Sequence, residues 1–198
     1  MMVTRPAGGP PRPPPDMGDT VTEATEVAAL MASLIGRHHR VTDYEVGREK
    51  IREYARAVLD PHPAHQHEAA AQALGYDGLI GPITFVSILG SFAIEELFVR
   101  VLVGYDLSQM MHTDQQLILH RPVQVGDRLD CDVCLESFRQ MGGTDIIVTR
   151  NLITDQHEEP VATTRTTLIA RTGGVVDPEL ARAVAAVMMH KAPPFPAR

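Results

Sequence analysis

Apolar and polar residues alternate with two different periods along this chain, and the change falls near Gly104. Before it, spacings of three and four dominate. Arg48 to Leu59 (REKIREYARAVL) puts Ile51, Tyr54, Ala55 and Val58 on one face, which predicts an amphipathic helix. That helix is expected to stop at Asp60, because Pro61 and Pro63 follow and proline disfavours helical backbone just before it. His67 to Leu74 predicts a second short helix closed by Gly75. Pro82 then opens ITFVSILGSFAIEELFVRVLV, apolar nearly all round as far as Glu95, which predicts a long buried central helix. After Gly104 the pattern alternates or turns β-branched: Met110 to Leu119, Arg128 to Phe138, Thr144 to Ile153 and Pro160 to Ala170 each predict a strand. Turn signals separate them at Gly126-Asp127, Gly142-Gly143 and Asp155-Gln156. Val41 to Val46 predicts a short early strand.

One early strand, a buried helix and a four-stranded antiparallel meander make an α+β arrangement. A sheet wrapped around one long apolar helix is the hot-dog architecture, though other α+β folds share this order of elements. The expected organisation is a disordered Pro/Gly-rich tail (1–18), a short N-terminal helix (19–36), a single hot-dog domain (37–172), and a C-terminal helix with a loose tail (173–198). The last helix is expected over Asp177 to His190, where Asp-Pro supplies a start signal.

Composition narrows the function classes. With 198 residues, 44% hydrophobic and 22% charged, the chain suits one domain with a real core. Its net charge of −7, without a run of lysine or arginine, argues against nucleic acid as the main partner. No apolar stretch approaches the roughly 20 residues of a membrane span. The arginines near the N-terminus have no hydrophobic segment behind them, so no secretory signal is expected and the location is expected to be cytoplasmic. Cys131 and Cys134 lie on one predicted strand at a separation that puts them on opposite faces. Two reduced strand cysteines are expected there, and no zinc site.

Four stretches then carry a resemblance: VGREKIREYARAVLDPHPAH, GYDGLIGPITF, HRPVQVGDRL and IIVTRNLITD. Together they resemble the MaoC-like (R)-hydratase/dehydratase family, and within it the small subunits of the mycobacterial type II fatty-acid-synthase dehydratase. The resemblance runs from about Leu34 to Arg171. It implies a hot-dog fold and a homodimer or a heterodimer with another hot-dog subunit. It also implies (3R)-hydroxyacyl-thioester dehydration or 2-enoyl-thioester hydration in fatty-acid or mycolic-acid elongation, on acyl carrier protein or CoA, without a cofactor. Its members often pair a catalytic subunit with one that only binds the acyl chain, so both roles stand open for this chain.

The family signature, Gly-Asp-x-Asn-Pro-apolar-His, falls on Leu59 to His65 (LDPHPAH). The acid and the base are in register as Asp60 and His65. Leu59 replaces the glycine, His62 the asparagine, and Ala64 a larger apolar residue. Dehydrating a β-hydroxyacyl thioester means removing a weakly acidic C2 proton and protonating hydroxide as it leaves. Histidine titrates near neutrality and a carboxylate can orient it or exchange a proton, so His65 is assigned the C2 proton and Asp60 the departing water. The developing enolate oxygen needs donors, and the amides of Ile83 and Thr84 at the start of the central helix are the candidates. Plainer roles stay open: Asp60 as the end of a helix, His65 as the start of the next. Phe85, Ile88 and Leu89 are candidates for an acyl tunnel as well as for the core. His62, His65 and His67 lack a further ligand at metal spacing, so no metal is expected. Arg121-Pro122 with Gly126-Asp127 reads as a strand-ending turn, and the resemblance implies that this region borders the site.

Overall fold

Residues 28–90, 105, 107–171 and 178–188 are described by the computed structural model. Five antiparallel strands form one sheet: β1 (His38–Glu45), β2 (Met110–Leu119), β3 (Arg128–Met141), β4 (Thr144–Thr154) and β5 (Pro160–Arg171), in the order β1-β3-β4-β5-β2. Alternation along β3 is the reason it is a strand with one buried face: Leu129, Cys131, Val133 and Leu135 point inward while Asp130 and Asp132 do not. The β3–β4 hairpin turns on Gly142-Gly143, both at positive φ (61° and 76°), which a two-residue turn of this hand requires.

The expected meander needs one correction. β2 does not pair with β3, its neighbour in sequence, but lies at the far edge against β5. The segment between Leu119 and Arg128 is too long for a tight hairpin. It carries the chain across the sheet and pairs on the way with residues 79–81: the Gly81 amide donates to the Val123 carbonyl (2.8 Å) and the Val125 amide to the Leu79 carbonyl (2.9 Å). β1 is also longer than its apolar pattern suggests, starting at His38.

The helical segments are short as far as they are described. They are α1 (28–34), α2 (Arg48–Ala57), α3 (Glu68–Gln72), α4 (helical from 87, described to 90) and α5 (Pro178–Met188). The chain enters α4 through a 3-10 turn, Ile83–Val86. The remainder of the expected central helix, 91–104, lies outside the described residues, as do the expected N-terminal tail, the first part of the expected N-terminal helix (19–27) and the whole of the loose C-terminal tail. The sheet shares its main core with α1, α2 and the start of the central helix, while Ala71 of α3 packs with Ala64 and Ile80 in a smaller cluster. Ile51 of α2, Phe85 and Leu89 at the start of the central helix, and Leu129, Leu135 and Ile147 of the sheet are all essentially inaccessible, each worth about 1.5–3 kcal/mol of burial. Tyr54 packs edge-on against Phe85 at 5.3 Å.

Cys131 and Cys134 are free and both buried, so each face of β3 is covered at this point. Burial, with Asp132 adding to it, pushes the Cys131 thiol up to about 12. No described helix is long and apolar enough to cross a membrane.

Candidate functional site

The site begins where α2 ends. The Leu59 amide donates to the Arg56 carbonyl (3.2 Å) and the Asp60 amide to the Ala55 carbonyl (2.9 Å), a Schellman closure whose pivot is Leu59 at φ 57°. α3 closes in the same way on Gly75 at φ 90°, with bonds from Gly75 to Gln72 (2.9 Å) and from Tyr76 to Ala71 (3.1 Å). Leucine therefore holds the left-handed conformation that glycine holds at the other helix end, and the turn that presents Asp60 is intact.

Past that turn, each Asp60 oxygen has its own partner. Oδ1 accepts the His62 amide at 3.1 Å, and Oδ2 meets His65 Nε2 at 3.2 Å. A 3-10 turn, Pro63–His65, sets the spacing, and the Ala64 amide donates to His62 Nδ1 at 3.3 Å. The bond from the His62 amide holds the Asp60 carboxyl below the usual carboxylate range; partial burial opposes this, and the His65 ring adds to the lowering.

His65 is buried, and its Nδ1 lies 2.6 Å from the Ile80 carbonyl. A carbonyl only accepts, so Nδ1 donates and Nε2 is left as the nitrogen that exchanges protons. Two lone pairs facing each other would repel, so in this contact one proton lies between Nε2 and Asp60 Oδ2. The arrangement is that of an acid–base pair with its tautomer set by the backbone.

Asp60, His62 and His65 form the polar side of a cavity of about 400 Å³. Leu74, Tyr76 and Ile80 supply an apolar wall, and Leu119 and Pro122 bring in the far edge of the sheet. Of the expected oxyanion donors, Ile83 lines this cavity and is well exposed, whereas Thr84 does not line it and receives the Tyr54 hydroxyl on its carbonyl (2.7 Å). Neither amide has an acceptor among the described residues. Phe85 and Leu89 sit in the core rather than in the cavity wall, and Ile88 packs against that core. Leu74, Tyr76, Ile80 and Leu119 carry no local sequence signal because they converge only through tertiary structure, whereas Pro122 lies in the Arg121-Pro122 region that the resemblance places beside the site. Tyr76 and Ile80 do fall in the GYDGLIG stretch that carries the resemblance. No group of three or more potential metal ligands occurs among the described residues.

An antiparallel sheet curled over short helices, with an Asp–His pair at a cavity on its rim, is the build of a MaoC-like, hot-dog dehydratase. Residues 33–164 match the family model described as the FAS1-like dehydratase domain region, and the chain belongs to that family. It is 42% identical over 146 residues to a UPF0336 protein of Mycobacterium tuberculosis strain H37Rv, spanning 73% of this chain and 92% of that one. Among solved structures it resembles a chain of the C-terminally truncated HadBC (3R-hydroxyacyl-ACP dehydratase) complex of Mycobacterium tuberculosis. The identity there is 41% and the TM-score 0.63, covering 69% of this chain and 97% of that one. A MaoC-like dehydratase matches at 38% identity and a TM-score of 0.72, covering 85% of this chain and 51% of that one.

Proposed function

We propose that this chain is one subunit of a two-subunit dehydratase acting on (3R)-hydroxyacyl thioesters, and that it holds the acyl thioester beside a hot-dog partner that performs the acid–base step. The observation that carries this reading is the 41% likeness to a chain of a dehydratase complex along 97% of that chain. The departures at Leu59, His62 and Ala64 agree with it, since they alter the surroundings of the acid and the base while leaving both in place.

One observation favours a second reading, in which this chain does the chemistry itself: Asp60 and His65 meet at 3.2 Å on the wall of a cavity. On that reading the proton shared between Nε2 of His65 and Asp60 Oδ2 passes to Asp60, which frees Nε2 to take the C2 proton while Nδ1 stays bonded to the Ile80 carbonyl. Asp60 then delivers that proton to the departing hydroxyl group, and of the two expected donors it is the Ile83 amide, at the cavity, that faces the thioester oxygen. No step calls for a cofactor.

Separate Asp60→Asn and His65→Ala variants, assembled with a hot-dog partner bearing the unbroken signature, distinguish the two. The binding-subunit reading expects crotonyl-CoA hydration to stay within about three-fold of wild type, far less than the ~100-fold or more that loss of a general acid or base entails. A ~100-fold fall in both variants would replace it with the catalytic reading.

A further inference from the structure

We infer that Arg121 is a positioning residue for His65, acting through the strand-like segment 79–81; this rests on the hydrogen bond from His65 to Ile80 and holds whichever subunit performs the chemistry. The Arg121 guanidinium makes a two-armed contact with Asp127 (Nη1–Oδ2 2.8 Å, Nη2–Oδ1 3.0 Å), and its Nη2 also donates to Asp155 Oδ2 at 2.9 Å. A further bond runs from Nη1 to the Pro122 carbonyl (2.9 Å). Both carboxylates are more than nine-tenths buried, at 7% and 9% exposure. Asp127 Oδ2 accepts the Gln124 amide at 2.7 Å, and Asp155 Oδ1 accepts the amides of His157 and Glu159. One planar cation thus closes loop 121–127 on itself and locks it to the β4–β5 turn, a geometry that lysine, as a point charge, cannot reproduce.

That loop reaches toward the acid–base pair through its backbone bonds to residues 79 and 81. Val123 accepts from Gly81 and Val125 donates to Leu79, which grips the two residues on either side of Ile80. Ile80 in turn donates its amide to the Ala64 carbonyl (3.3 Å) and receives Nδ1–H of His65 on its own carbonyl (2.6 Å). The carbonyl that sets the His65 tautomer is therefore held from behind by two loop bonds, and the loop is held by Arg121. Pro122, next to the guanidinium, also lines the cavity. Outer partners of this kind commonly fix ring orientation and basicity.

The test is the Nδ1 proton of His65 in the full chain labelled with ¹⁵N-histidine, its resonance assigned by its loss in His65→Ala. Wild type is expected to show a protonated, slowly exchanging Nδ1. Arg121→Lys, which keeps the charge but loses the fork, is expected to speed exchange at least ~10-fold and move the ring nitrogens toward tautomer averaging, since local opening governs exchange. Asp155→Asn is the second variant: its oxygen can still receive the two amides, so only the Arg121 bond is lost, and it decides the matter if Arg121→Lys does not fold. A His65 signature unchanged in the variants that fold, even with a lowered melting temperature, would overturn the inference and leave Arg121 a purely structural ion pair. The outcome is separate from the assignment of catalysis. If His65→Ala leaves turnover of the complex intact while the Nδ1 signature still answers to Arg121, the catalytic reading falls and the positioning role stands.

Discussion

Leu59 shows how one residue can depart from a family pattern without moving the site. It is 87% exposed, so nothing packs it into place, and it carries the positive φ that a glycine would adopt at less cost. The left-handed conformation costs a leucine about 1–2 kcal/mol, and a glycine would lose about 0.4–1 kcal/mol by loosening the unfolded chain. Leu59→Gly is therefore expected to stabilise the protein by roughly 0.5–1 kcal/mol, read as a raised urea midpoint, with the Asp60–His65 contact unchanged. The thiols give a second residue-scale prediction. Cys131, buried with its thiol pushed up to about 12, and Cys134, also buried, should both resist Ellman's reagent at neutral pH in the native protein and both react in denaturant. Asp60 and His65 were legible because a seven-residue motif, Leu59 to His65, keeps their spacing. The partner that orients His65 was not, since the Ile80 carbonyl comes from fifteen residues on and a backbone acceptor has no side-chain signature.

At the scale of elements, the strands were readable because a sheet with one buried face imposes alternation on every strand it contains. Their order was not. Alternation says which face is buried and nothing about which neighbour lies alongside, so β2 reads as the start of a meander although it closes the opposite edge against β5. The connections between elements make two predictions. Tyr105, just ahead of β2, donates to Asp145 Oδ2 at 2.6 Å; Asp145 is fully buried in β4 and its other oxygen has no partner among the described residues. Tyr105→Phe strips the carboxylate of that bond and is expected to cost about 1–3 kcal/mol in urea unfolding. At the β4–β5 turn, burial alone would raise the Asp155 carboxyl, but the Arg121 bond and the amides of His157 and Glu159 outweigh it and hold the group below the usual range. An acid that is stronger in the fold than in the unfolded chain adds stability that is whole above about pH 4 and is lost as pH falls through its folded value. Asp155→Asn should therefore weaken the protein at neutral pH and flatten its stability curve on the acid side, as seen in melting temperature against pH.

For the molecule as a whole, one sheet edge stands out. β2 is ten residues long, exposed along most of its length, and paired on one side only. Such an edge invites another strand, and a hot-dog partner closing it agrees with the proposed two-subunit enzyme. The cavity bearing Asp60 and His65 reaches the same strand at Leu119, so closing the edge and completing the site are coupled in this account. The central claim is that the chain is a dehydratase subunit whose activity belongs to the pair. The most direct measurement is crotonyl-CoA hydration by the purified chain, by the partner with the unbroken signature, and by the two together. Turnover in the mixture is expected to be at least ~100-fold above that of the chain alone, the scale of an absent acid–base contribution. Equal turnover by the chain alone, or none in a stable complex, would contradict it.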